Sequence, residues 1–157
     1  MITIQVARSL PVAAIPASLR LRLEKAARLA LERLGASAEA GLSIVITDDS
    51  QLQALNQRFL GNDAPTDVLS FPAEGADDPD TGQPYLGDVL ISYPRAQAQA
   101  DAAGHSLEAE LCLLLVHGIL HLAGHDHADE PGKTAMWSLQ DQILEYLGFP
   151  PLKIVEE

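Results

Sequence analysis

The segment "LCLLLVHGILHLAGHDH", residues 111–127, contains four of the five histidines of this 157-residue chain. An apolar run opens it, and the run is too short and too rich in histidine to cross a lipid bilayer. Ser106 stands before it as a good N-cap, and Glu108 and Glu110 suit the positive end of a helix. The segment therefore predicts a helix that carries histidines towards its C-terminal end.

Two of these histidines lie on the same side of the predicted helix. His117 and His121 are four residues apart, so their side chains differ by about 40° in direction and by about 6 Å along the axis. Both imidazole rings can therefore face one metal ion.

A third histidine can join them only if the helix ends. In a continuous helix, His127 would lie about 15 Å along the axis from His117 and would point away from it. Gly124 lies before His127, and glycine readily adopts the left-handed conformation that ends helices. We therefore predict that the chain turns at Gly124 and directs His127 to the same ion.

The resulting pattern, H-x3-H-x2-G-x2-H, has the spacing of the zinc helix of the metzincin proteases. Three neutral imidazoles bind zinc and leave a fourth coordination position open, which is typical of catalytic zinc sites. The general-base glutamate of those proteases is replaced by Gly118 here, which argues against peptide hydrolysis by their mechanism. Three unrelated histidines would not account for the spacing or for the glycine between them.

The remaining histidines have other interpretations. His125, in the predicted turn, either faces the substrate or orients a ligand, with a solvated loop residue as the alternative. Asp126 either accepts the second N–H of a ligand imidazole or is a solvated turn residue. His105 precedes the N-cap and is expected at the surface.

Composition restricts the classes of partner. The chain has 22 Asp and Glu against 10 Lys and Arg, a formal net charge of −12. This charge opposes non-specific binding to nucleic acid, so any contact with RNA must be local or assisted by a metal. Cys112 is the only cysteine, which excludes an internal disulfide and suits a buried position and a reducing cytoplasm. Residues 1–10 show no signal-peptide pattern, and we expect a cytoplasmic protein without a membrane segment.

Strand-like and helix-like segments alternate along the chain. The apolar and β-branched patterns predict strands over residues 2–6, 42–47, 66–71 and 85–92 and helices over 17–35, 48–61, 93–104, from 107 through the histidines, and over 132–148. Residues 73–84 read as an acidic loop rich in turn residues. This pattern predicts one layered domain over residues 1–157, of the α+β or α/β class, with about four strands and five helices.

Three segments carry a resemblance to a known family: "LNQRFLGNDAPTDVLSFP" (55–72), "LGDVLIS" (86–92) and "HGILHLAGHDH" (117–127). Together they resemble the YbeY family of bacterial endoribonucleases, also called rRNA maturation factors. The resemblance implies a single α+β domain with a mixed sheet and a zincin-like helix, and one zinc ion at the mouth of a cleft, held by His117, His121 and His127. It also implies single-strand-specific endoribonuclease activity in 16S rRNA 3′-end maturation, ribosome assembly and ribosome quality control.

The sequence departs from this family at one functional position. The family carries an important arginine just before the glycine that is Gly61 here, and this chain has Leu60 in its place. Arg58, two residues upstream, is the candidate to reach the same cleft and is assigned a catalytic role on that basis. A structural role for Arg58 on the helix surface is the alternative.

The predicted zinc ion has two uses in RNA cleavage. It activates a water for attack on a phosphodiester, or it holds a phosphate oxygen while the neighbouring ribose 2′-OH attacks. His125 is one candidate for the general base, and a hydroxide at the metal or the substrate itself are the others. Ser70 and Thr66 are expected to line the cleft and to donate hydrogen bonds to phosphate, with structural roles in the strand and turn as the alternative.

Because the surface is acidic, ribosomal proteins or an assembly GTPase of the kind linked to this family are expected to help deliver single-stranded rRNA. The competing function is a ribosome-assembly binding factor with a mainly structural zinc, which would need a fourth protein ligand. Cys112 is poorly placed for that, because it lies about 140° around the helix from His117.

Overall fold

Four strands and five helices alternate in the part of the chain that the computed structural model describes, which comprises residues 1–11, 13–37, 39–73, 82, 84–124, 130–150 and 152. The strands are β1 (Ile2–Val6), β2 (Gly41–Thr47), β3 (Val68–Pro72) and β4 (Tyr85–Ser92). The helices are α1 (Ala17–Arg33), α2 (Asp49–Leu60), α3 (Tyr93–Ala103), α4 (Leu107–Leu122) and α5 (Glu130–Tyr146). Each predicted element is present.

Two elements, β3 and α5, begin two residues away from their predicted starts. Strand β3 begins at Val68 rather than at residue 66, and the carbonyl of Asp67 accepts a hydrogen bond from the Ser92 N–H just ahead of it. Helix α5 begins at Glu130, two residues before the predicted start, because Pro131 is compatible with a first helical turn, where its missing N–H needs no partner.

The four strands form one mixed sheet in the order β1-β2-β4-β3. Strands β1, β2 and β4 are parallel neighbours, whereas β3 runs antiparallel to β4 and forms one edge. The predicted α+β class with a four-stranded mixed sheet is therefore confirmed. The edge position of β3 matters for the site, because α4 packs on one of its faces and α2 on the other.

Helix α4 is the central helix of the fold. Every residue from Ala109 to Leu120 is buried, against the sheet and against α1, α3 and α5. A helix that is apolar on all sides is expected to be surrounded in this way. Among the described residues, no single helix is long and apolar enough to cross a membrane; α3 and α4 meet those criteria only as a pair, bent by 115°.

The start of α2 provides a test of the capping arrangement. Asp48 is the N-cap and accepts hydrogen bonds from the Gln51 N–H at 2.8 Å and from the Ser9 hydroxyl at 2.7 Å. The bond from Ser9, together with that from Gln51, holds the pKa of the Asp48 carboxyl below its ordinary value.

We expect Asp48→Ala to lower the free energy of unfolding by about 1 kcal/mol at pH 7. The pKa of Asp48 is lower in the folded state than in the unfolded chain, so the ionised carboxylate stabilises the fold at pH values above the unfolded pKa. This stabilisation is lost as the pH falls through the folded pKa. Urea unfolding between pH 7 and about pH 3 measures this loss. Asp48→Asn, which keeps an acceptor oxygen, is the control, and a loss as large as that of Asp48→Ala would contradict the capping role.

Candidate metal centre

The last turns of α4 bring His117 and His121 together. Their Nε2 atoms lie 3.1 Å apart, and their ring centroids are 4.7 Å apart at an angle of 75°. Two nitrogens that bind one tetrahedral zinc ion at about 2.0–2.1 Å are separated by about 3.3 Å. The two rings therefore converge as their spacing predicted, at a separation that suits two ligands of one ion.

Helix α5 supplies a partner that the sequence analysis did not identify. Gln140 Oε1 lies 3.0 Å from His117 Nδ1, and the two residues are only 2% and 6% exposed. Because an amide oxygen only accepts hydrogen bonds, Nδ1 is the donor in this contact, and in the neutral imidazole Nε2 is then the nitrogen with a lone pair for a metal. Metal-binding histidines usually donate their second N–H to such an acceptor.

A signal for Gln140 is present in the sequence. It lies four residues after Met136 and three before Ile143, within the stripe that α5 buries. A polar residue in an apolar stripe needs a hydrogen-bond partner when the helix packs. The pattern alone does not say which residue of α4 provides that partner.

We expect Gln140→Leu to weaken zinc binding by about 10- to 100-fold, because the variant leaves the Nδ1–H of His117 without its acceptor. A competition titration against a chelating dye measures this affinity. Gln140→Glu is the matched control, since it keeps an acceptor oxygen at the same place and should bind zinc at least as tightly as the native chain. Native affinity in Gln140→Leu would show that Gln140 does not position His117.

The end of α4 confirms the predicted break. The helix stops at Leu122, and Gly124 has a φ of +91° with its N–H donating to the His121 carbonyl at 3.0 Å. His125, Asp126 and His127 lie outside the described residues, so the third ligand and the candidate base stay predictions. Within the described ranges, no three His, Cys, Asp or Glu side chains come close enough together to hold a metal.

Gly118 lies where α4 approaches the sheet most closely. A Cβ at this position would lie 2.7 Å from Val89 Cγ1 and 3.1 Å from Ser70 Oγ. A side chain at position 118 would therefore point into the sheet, where there is no room for it. A general base would instead have to point towards the metal ligands. This explains in structural terms why the glutamate of the metzincin pattern has no counterpart here.

The two predicted phosphate donors, Ser70 and Thr66, lie close together along the chain. Ser70 is half-buried on β3, and its hydroxyl donates to the Gly118 carbonyl at 2.9 Å. The single hydrogen of this hydroxyl is therefore used within the protein, as in the structural alternative. Thr66 is half-buried in the turn before β3. Phosphate binding by either residue stays a prediction.

Arg58 lies in the last turn of α2 and is exposed. Its guanidinium carbon is 5.2 Å from the centre of the Phe59 ring. Leu60, where the resemblance implies an arginine, is 62% exposed. The catalytic role of Arg58 stays a prediction.

The expectation that His105 lies on the surface was wrong. Its side chain is 12% exposed, and its Nε2 contacts the carboxylate of Glu110, which is 1% exposed. Gln99 donates to the same carboxylate at 2.8 Å. After α3 ends at Ala103, with Gly104 as its C-cap, the chain turns back onto α4, and this places the imidazole against a buried acid that needs partners.

Cys112 does not provide a fourth ligand. It is completely buried in the core, and burial raises the pKa of its thiol to about 12. Metals bind the thiolate form of cysteine, which this environment disfavours.

Comparison with known proteins identifies relatives over most of the chain. The family model described as Endoribonuclease YbeY matches residues 11–148. The Endoribonuclease YbeY of Roseiflexus sp. strain RS-1 is 49% identical over 126 residues, 76% of this chain and 77% of the relative. That of Chloroflexus aurantiacus strain J-10-fl is 48% identical over 131 residues, 80% and 83% of the two chains. The solution structure of TM1509 from Thermotoga maritima matches with a TM-score of 0.61 and 26% identity, covering 94% of this chain and 89% of that one.

Proposed function

Because the chain belongs to the YbeY family of endoribonucleases, we propose that it hydrolyses phosphodiester bonds of single-stranded RNA with the help of one zinc ion. We further propose that its substrate is ribosomal RNA and that it acts in the cytoplasm, in 16S rRNA 3′-end maturation, ribosome assembly and ribosome quality control, as a single domain over residues 1–157. The observation that carries the proposal is the convergence of His117 Nε2 and His121 Nε2, with Gln140 on the far side of His117.

The residues present fit a zinc ion. His117 and His121 would hold it, with His127 as the proposed third ligand. The ligands are imidazole nitrogens, which zinc accepts readily. The contact of His117 Nδ1 with Gln140 leaves Nε2 as the nitrogen that would bind the ion. When bound, the ion would supply Lewis acidity towards a phosphodiester oxygen and towards an attacking water.

The protein's own contribution is to hold these groups still. The imidazole of His117 is fixed by the buried Gln140, and its backbone belongs to the helix that the core surrounds on every side. Ser70 ties the α4 backbone to β3 through the Gly118 carbonyl. Side chains on rigid, packed elements keep a reactive geometry better than side chains on loops.

Charge determines how the RNA reaches this site. With a formal net charge of −12, the chain as a whole repels a polyanion. We propose that the ion and local cations such as Arg58 provide the attraction, and that ribosomal proteins or an assembly GTPase deliver the substrate. His125 is the proposed general base, and Ser70 and Thr66 are the proposed groups that line the cleft.

The test compares three end-labelled substrates of one sequence with the zinc-loaded chain: single-stranded RNA, the same strand in a duplex, and single-stranded DNA. We expect cleavage of the single-stranded RNA and little of the duplex. A product ending in a 2′,3′-cyclic phosphate would indicate attack by the ribose 2′-OH, whereas cleavage of the DNA strand would indicate attack by water. Equal cleavage of strand and duplex would contradict single-strand specificity.

A further inference from the structure

An exposed aromatic residue stands at the end of α2. Phe59 is 57% exposed, and the adjacent Leu60 is 62% exposed. Leu52 and Asn56 lie on the buried face of α2. Phe59 follows them at helical spacing, so it lies on the same face of the helix. The apolar face of α2 thus extends beyond the part of the sheet that covers it.

Two neighbours define what we call the Phe59 platform, which consists of Arg58, Phe59 and Phe71. The Phe59 ring contacts Phe71 with centroids 5.5 Å apart at 66°, an edge-to-face pair. The guanidinium carbon of Arg58 lies 5.2 Å from the Phe59 ring centre. The platform therefore offers an accessible aromatic ring held by a second ring, with a cation beside it, on a chain whose net charge is negative.

The platform shares the edge strand β3 with the candidate metal centre. Successive side chains of a strand point to opposite faces, so Phe71 faces α2 whereas Ser70 faces α4, where it bonds to Gly118. Gly118 lies between His117 and His121 in the same helix. The platform and the histidine-bearing helix thus lie on opposite faces of one edge strand, and an extended polymer that wraps around this edge is the kind of ligand that such an arrangement suits.

We propose that the Phe59 platform stacks one base of single-stranded RNA while Arg58 contacts the adjoining phosphate; this rests on the proposed ribonuclease function. Stacking on an aromatic ring tolerates every base and needs an unpaired one, which suits a single-strand-specific enzyme. It also supplies attraction that does not depend on a net positive charge, and the formal net charge of this chain is −12. Among the exposed large hydrophobic residues of the described ranges, only Phe59 and Leu60 lie on α2, and protein-docking surfaces are typically continuous apolar patches of several hundred Å².

The test measures KM and kcat for cleavage of a short single-stranded RNA by the zinc-loaded native chain and by Phe59→Ala. We expect KM to rise by about 5- to 150-fold, with a much smaller change in kcat and unchanged zinc content. Phe59→Tyr should restore the native KM. On the native chain, a substrate with a single abasic position at the stacked nucleotide should show the same rise.

The chain offers a matched control in Tyr146. Tyr146 lies on α5 and is 67% exposed. The guanidinium carbon of Arg33, at the end of α1, lies 5.7 Å from its ring centre, so the two residues form a similar exposed pair. Tyr146→Ala should leave KM unchanged. An equal rise in both variants would overturn the proposal, because the effect would then be non-specific.

Other outcomes separate this proposal from the proposed function. A native KM in Phe59→Ala, with cleavage intact, would overturn the platform and leave the ribonuclease function standing. Loss of binding to a protein partner with an unchanged KM for RNA would also overturn it, in favour of protein docking. Failure of the native chain to cleave RNA under any zinc loading would overturn both.

Discussion

Replacing His121 with alanine is expected to abolish zinc-dependent RNA cleavage, with a fall in kcat/KM of more than about 100-fold. Groups that only orient a ligand change metal affinity or activity by 10- to 100-fold, so removing a ligand should exceed that range. The variant leaves His117 with its Gln140 contact but removes the nitrogen 3.1 Å from its Nε2. Metal analysis of the purified chain should show a matching loss of zinc.

The control for this prediction is a histidine outside the site. His105→Gln keeps a donor for the buried Glu110 and should retain zinc and cleavage. Both variants must show native circular dichroism, which establishes that they fold. Equal cleavage by His121→Ala and by the native chain would indicate a contaminating ribonuclease and would remove the enzymatic proposal.

Gly87→Ala is expected to cause the largest loss of stability, about 3 kcal/mol or more in the free energy of unfolding. Gly87 has a φ of +138°, a conformation that alanine rarely adopts. A Cβ there would lie 2.3 Å from the Phe71 carbonyl oxygen, which belongs to the backbone of the neighbouring strand. The backbone strain and the steric overlap therefore both destabilise the variant, and the overlap is relieved only if β3 and β4 move apart.

Gly104→Ala separates the two causes. Gly104 also has a positive φ, +76°, but a Cβ there would meet nothing within 4 Å. Its replacement should lower the free energy of unfolding by about 1–2 kcal/mol, from backbone strain alone. Urea unfolding of both variants measures the difference, and an equal loss would show that the contact between β3 and β4 at Gly87 is not as tight as the structure indicates.

The elements of the fold were predictable because their signals are local. Asp48 and Ser106 cap helices α2 and α4, and glycines with positive φ follow α2 and α3 at positions 61 and 104. Periodicity and caps act over a few residues, so one sequence is enough to read them. The order β1-β2-β4-β3 was not predictable in this way, because strand pairing joins residues far apart in the chain.

The same distinction between local signals and long-range contacts applies to the residues of the site. The convergence of His117 and His121 follows from helical geometry, and the break at Gly124 follows from the conformational freedom of glycine. Gln140 was missed because its contact with His117 spans 23 residues and depends on how α5 packs. His105 was misplaced for the same reason, since its partner Glu110 is buried only when α3 and α4 meet.

X-ray absorption at the zinc edge of the purified, zinc-loaded chain shows how many imidazoles bind the ion and whether one coordination position stays open. We predict one zinc per chain with three imidazole nitrogens at about 2.0–2.1 Å and one exchangeable oxygen ligand. His127→Ala should reduce the nitrogen shell by one. A fourth protein ligand, a sulfur at about 2.3 Å, or an unchanged nitrogen shell in His127→Ala would contradict an open three-histidine site.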